Sequence, residues 1–169
     1  TPLYSSAASD VYKRQARQHF ETCVEAFKKW EFTSTPLWYV ETLLHLTSIY
    51  AYQGELDKGR GSFQWAKRLA ETLKSDAGLA MASQAEAGLR LASGDGKGAE
   101  EAYLKALGLW EKAGWPYYRA KALVAYSEAI AQTNPEESKK RLEQAAEIFK
   151  KLGAKRDLEK AQARLSAHA

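Results

Sequence analysis

Two pairs of residues sit four apart, the spacing that puts metal ligands or an acid–base couple on one helix face: His19 with Cys23, and Glu41 with His45. Zinc takes four protein donors, or three and a water. Neither pair finds a second pair to complete such a set. Cys23 also falls where a small side chain is needed between helices, so it reads as a core cysteine. His168 lies in the last residues of the chain, and His45 is the histidine that could line a groove. The stretch "SGDGKGAEEA" places glycines and Lys97 ahead of a helix, the ingredients of a phosphate cradle. That cradle needs G-x-x-x-x-G-K-[ST] after a buried strand. Here Gly98-Ala99 follows the lysine and a helix precedes it, so the stretch reads as a turn. Adjacent carboxylates, Glu100-Glu101 and Glu136-Glu137, belong to solvated charge runs and not to the shared cleft that acid–base work requires. No serine elbow or serine–lysine motif occurs. We therefore expect no catalytic, metal or cofactor-binding residue, and read the chain as a non-enzyme.

The elements that would position any functional surface are helices. Ala, Leu, Glu, Lys, Gln and Arg dominate, all strong helix formers. Thr35-Pro36, Trp115-Pro116 and Asn134-Pro135 mark helix starts, because proline at the first helical position loses no needed N–H. Gly54, Gly94, Gly114 and Gly153 fall where helices should stop, and no run alternates with period two. The 169 residues carry a net charge of +4, with both signs interspersed. A nucleic-acid footprint would need a basic stripe, so none is expected. A lone cysteine excludes an internal disulfide framework and fits a reducing compartment. No apolar run reaches membrane-spanning length, and the expected location is cytoplasmic.

Aligning "FQWAKRLAETL", "YLKALGLWEKA" and "LEQAAEIFKKL" shows a repeat. Phe63, Tyr103 and Leu142 form one column, Ala66, Ala106 and Ala145 a second, and Leu69, Leu109 and Ile148 a third. A fourth, of small residues, holds Gly59, Ala99 and Ser138. The alanines are 40 and then 39 residues apart. Each of these helices follows another, expected over 36–53, 77–92 and 116–132, so the unit is a helical hairpin. "LTSIYAYQGELDKGRGSFQWA", with Leu46, Thr47, Tyr50, Gly54, Gly59, Phe63 and Ala66, is similar to the tetratricopeptide pattern. "LASGDGKGAEEAYLKALGLW" repeats it with Gly94, Ala99, Tyr103 and Ala106. "AQTNPEESKKRLEQAAEIF" keeps Ser138, Leu142 and Ala145 but has Thr133 in place of the turn glycine. The period exceeds the family's usual 34 and resembles the long repeats attached to bacterial and archaeal signal-transduction ATPases, transcription regulators and cyclases. The resemblance implies an all-α fold: an α-solenoid of about three and a half tetratricopeptide-like hairpins over 16–169, closed by a C-terminal capping helix with a stripe of Leu158, Ala161 and Leu165.

The resemblance also implies a concave surface lined by the first helix of each hairpin. Counted from the turns, the inward positions are Glu41, Leu44, Ser48, Ala51 and Tyr52; then Met81, Gln84, Gly88 and Leu91; then Ala120, Leu123, Ser127 and Ile130. The family's carboxylate clamp of lysine, asparagine and arginine has no counterpart, since Leu44, Ser48, Gln84 and Gly88 occupy those places. The groove suits a helical or extended peptide, a protein partner or a neighbouring domain of the same chain; packing within a longer superhelix is the alternative use. Trp38, Tyr39, Trp115, Tyr117 and Tyr118 cluster at the starts of first helices. They either close the inter-repeat connections or form an edge for docking.

The first fifteen residues read differently. Translated back to codons, Ser5 to Gln15 resembles, in frame and without a break, the adapter of transposase-based sequencing libraries. Residues 1–15 are therefore expected to be non-native, with the biological sequence starting at Ala16 inside a longer gene. In the repeat register Ala16, Phe20 and Cys23 are the small, aromatic and small columns of a second helix whose first helix is missing. That predicts an exposed apolar face on Phe20, Val24 or Phe27, partly covered by Ala7, Ala8, Val11 and Tyr12. The resulting functional expectation is an interaction scaffold forming the C-terminal regulatory or coupling domain of a larger signalling protein. The alternative is a stand-alone adaptor.

Overall fold

The computed structural model describes residues 2–29 and 37–167. Among these residues eight helices follow in order: α1 (Pro2–Lys29), α2 (Leu37–Tyr52), α3 (Leu56–Thr72), α4 (Asp76–Ala92), α5 (Gly96–Ala113), α6 (Pro116–Ile130), α7 (Pro135–Leu152) and α8 (Lys155–Ala167). There is no strand among the described residues. Packing runs along the chain. The hairpins α2–α3, α4–α5 and α6–α7 succeed one another, α1 lies on α2, and α8 lies on α7. The fold is an all-α repeat of consecutively packed helices. The helix start expected at Thr35-Pro36 lies outside the described residues, as does His168.

Local chemistry explains the boundaries. Ser75, Asp95 and Asn134 each accept a hydrogen bond from the backbone N–H three residues on, at 3.0, 2.8 and 3.2 Å, capping α4, α5 and α7. Pro116 and Pro135 open α6 and α7. Gly54, Gly94, Gly114 and Gly153 all have φ between 68° and 80°. Each left-handed residue lets the next N–H reach back five residues, as from Asp95 to the Arg90 carbonyl at 2.8 Å. Lys74 does the same between α3 and α4 with φ 49°. The α6–α7 connection departs from this plan. It holds no left-handed residue, the Asn134 N–H bonds the Ile130 carbonyl at 2.7 Å, and residues 131–134 join the two helices where 53–55 and 93–95 join the other hairpins.

The two small-residue columns are buried, while Leu69, Leu109 and Ile148 of the third are half-buried at the edge of the core. Ala66, Ala106 and Ala145 are fully buried, and so is Ser138. A Cβ on Gly59 would lie 2.8 Å from Leu89 Cδ2, so a side chain there would displace the end of Leu89. At the matching place in α7, the Ser138 hydroxyl donates to the Ser127 carbonyl at 2.8 Å and ties α7 to α6. Two apolar clusters result: one from α1 to α4 around Val40, Leu43 and Leu46, the other from α4 to α8 around Trp110, Leu123, Tyr126 and Phe149. α4 serves both, with Ala82 and Ala85 in the first and Ala77, Ala80 and Ala87 in the second. The stripe expected on α8 packs as read, with Ala161 buried and Leu158 and Leu165 half-buried.

The front helix corrects two expectations. α1 runs unbroken from Pro2 to Lys29, through the adapter-like segment. Its apolar residues face α2 and are not laid open: Val24 is buried, Phe27 stacks on Tyr39 at 4.0 Å, and Phe20 stacks on His45 at 5.3 Å. Cys23, expected in the core, is exposed. Among the described residues α1 packs mainly on α2, and one residue along a helix turns the side chain by about 100°. Val24 therefore points into the α2 contact while Cys23 points out of it. Tyr12 is exposed; the side chains of Ala7, Ala8 and Val11 lie outside the described residues.

Candidate interaction groove

One side of the array opens into a cavity of about 360 Å³, within the size range of ligand-binding clefts. α2 contributes Glu41, Leu44, His45 and Ser48; α4 contributes Met81, Gln84, Ala85 and Gly88; α6 contributes Tyr117, Tyr118 and Lys121. Tyr103 and Trp110 reach it from α5, the second helix of the middle hairpin. The structure thus brings together Glu41, Leu44, Ser48, Gln84 and Gly88 from the expected set. Tyr52, at 64% exposure, and Leu91, at 38%, lie on the surface beyond the lining.

The third hairpin requires a correction. Leu123 and Ser127, expected in the groove, are 1% and 2% exposed and belong to the interior, as do Ala120 and Ile130. Their lining counterparts sit one position further on. Lys121, Val124, Ala125 and Glu128 stand forty residues after Met81, Gln84, Ala85 and Gly88. Val124, Ala125 and Glu128, with Lys121 and Gln84, border a second cavity of about 290 Å³ that continues toward α7 and α8. Counting back from the turn fails because Val124 lies 21 residues before Ala145, whereas Gln84 lies 22 before Ala106. An error of one position turns the expected face by about 100°. Counting forward from α4 would have found Lys121.

The floor and one wall are aromatic. Trp110, 1% exposed, donates its indole N–H to Gln84 Oε1 at 3.3 Å and stacks on Tyr118 with centroids 5.1 Å apart. Trp115 stacks on the same indole at 6.0 Å. Tyr117 meets Tyr118 and Phe149 edge-on at 5.6 and 6.0 Å, and its hydroxyl donates to Asp157 of α8 at 3.0 Å. That bond to a carboxylate pushes the Tyr117 hydroxyl pKa up. Trp115 and Tyr118 thus close the α5–α6 connection, while Tyr117 and Tyr118 also line the groove. On the opposite wall Glu41 and His45 lie 3.6 Å apart.

The scaffold under the α2 wall is held by charge. Arg17 of α1 bonds Glu55 and Glu21, and reaches Gln53 at 2.6 Å. The Tyr50 hydroxyl donates to Glu21 at 2.7 Å. This bond, with Arg17 beside it, holds the Glu21 carboxyl below the usual carboxylate range. Burial, reinforced by the same bond, pushes Tyr50 up to about 12. In the second cluster the Tyr126 hydroxyl donates to Glu100 at 2.6 Å, and burial again raises the phenol.

Among the described residues no group of three His, Cys, Asp or Glu side chains could hold a metal ion, and no helix is long and apolar enough to cross a membrane. Fold and site together define a helical-repeat array with an aromatic-floored groove. The chain matches no family model and no curated protein.

Proposed function

We propose that this chain is a protein–protein interaction scaffold of tetratricopeptide type, which receives a peptide segment or domain of a partner on the groove side of its array. We further propose that it acts as the regulatory or coupling part of a larger signalling protein. The observation that carries the reading is the cavity itself, in which residues from α2, α4, α5 and α6 converge on an apolar floor with few polar groups. Helical hairpins that stack only on their neighbours commonly bind along such a face. The hairpin period and the buried small-residue columns support the family reading.

Gly88 provides the test. It lines the cavity, and a Cβ built there meets nothing within 4 Å, so Gly88→Trp fills the groove without displacing the core. A random dodecapeptide library displayed on phage is panned on the whole chain and on Gly88→Trp. Matched helical circular dichroism and melting of the two proteins serve as the fold control. Sequences enriched on the parent chain and lost on the plugged variant are expected. Equal recovery on both would remove the groove from the function.

A further inference from the structure

The groove's polar groups are segregated by sign. On the α6 wall Lys121 has no carboxylate within ion-pair distance among the described residues. Glu128, which borders the adjoining cavity with it, is held by Arg164, and Asp157 accepts the Tyr117 hydroxyl. Gln84 adds a second donor. The Trp110 indole can only donate, so it takes the amide oxygen and leaves the NH₂ group, on a residue that lines both cavities, outside that bond. On the α2 wall the charge is the Glu41 carboxylate, whose ion-pair neighbour, His45, lies 3.6 Å away on the same helix. Between the walls the surface is apolar and small, with Ala85 and Gly88 facing Tyr118. Gly88 leaves room for a close approach, at a helix-interior position where glycine costs roughly 0.5–1 kcal/mol relative to alanine.

We infer that the groove's occupant is a peptide segment whose apolar side chain is bracketed by an acidic group facing Lys121 and Gln84 and a basic group facing Glu41. The inference rests on the interaction function proposed above and adds the chemistry of the ligand. The apolar residue fills the space over Tyr103 and Trp110 and supplies most of the affinity. The two charges choose the orientation and reject segments of uniform sign, since complementarity across an interface acts mainly on specificity. Each charge pair, half-exposed, is worth a factor of about two to five.

The same library is panned on the parent chain, on Glu41→Lys, on Lys121→Glu and on Gly88→Trp. Enriched sequences on the parent chain should carry an apolar residue with one acid and one base beside it. Glu41→Lys should shift the enriched set to acids on both sides, and Lys121→Glu to bases on both sides, each by about twofold to fivefold in frequency. Panning at high salt should weaken the charge bias and spare the apolar preference. If the enriched sets keep the same charge content on all three open-groove proteins, the bracketing is wrong and the groove function stands. If nothing is enriched over Gly88→Trp, the groove function itself fails and the inference falls with it. Self-association of the parent chain that Gly88→Trp abolishes, seen by analytical ultracentrifugation, would assign the groove to a second copy and overturn the peptide.

Discussion

Between α2 and α4 the array closes on small side chains, Ala82 and Ala85 packing with Val40, Leu43 and Leu44. Between α4 and α6 it does not close in this way. α6 stacks on the array through α5, and Tyr103, Trp110, Tyr117 and Tyr118 occupy the space that a direct seam would have eliminated. The same hairpin, repeated, gives a packed joint in one place and a groove in the next. The difference is side-chain volume at equivalent positions: Ala70, Ala77 and Gly78 stand forty residues before Trp110, Tyr117 and Tyr118. Alanine lets two helix axes approach, whereas stacked rings hold them apart and still exclude water from one another.

That contrast can be broken or sharpened by changing volume on either side of it. Trp110→Ala should have the largest effect. It removes a side chain that is 1% exposed and that supports Trp115, Tyr118 and Gln84 together. We expect a loss of about 3–5 kcal/mol in urea unfolding, and a drop well below that range would show that the aromatic wall stands without its base. Ala106→Leu comes next. It adds volume to a fully buried column and should cost about 1–3 kcal/mol; a thermal melt unchanged from the parent would contradict the packing register. The smallest effect has the opposite sign. Gly88→Ala adds one carbon where the lining is open, and should stabilise the chain by roughly 0.5–1 kcal/mol through helix propensity. A destabilised Gly88→Ala would mean that the open seam is tighter than its geometry shows.

Much of this was legible before any coordinates. The prolines and glycines marked the turns, and the columns at Ala66, Ala106 and Ala145 named buried positions correctly, because those constraints are local or periodic. The groove was legible on α2 and α4, where both turns end in a left-handed glycine and the count back from Gly54 and Gly94 keeps its phase. It failed on α6, where Leu123 and Ser127 proved buried. The spacing of second helices, 39 residues at that step, conceals a spacing of 40 between first helices. A residue lost between a first helix and its second is invisible in an alignment made on the second helix alone. The front end failed for a related reason. A repeat column says which face of α1 is apolar, but whether Cys23 or Val24 is covered depends on which neighbours exist.

By itself, then, the order of residues determined that the chain is helical, where its hairpins turn and which small side chains lie between helices. These follow from backbone propensity and from a period that any copy of the repeat must obey. Only the tertiary structure decided that α4 and α6 stay apart, that Tyr103 and Trp110 reach through from the second helix, and that Lys121 faces Glu41 across the opening. Those outcomes depend on how whole side-chain volumes share space between elements distant in sequence, and no local pattern encodes that sum.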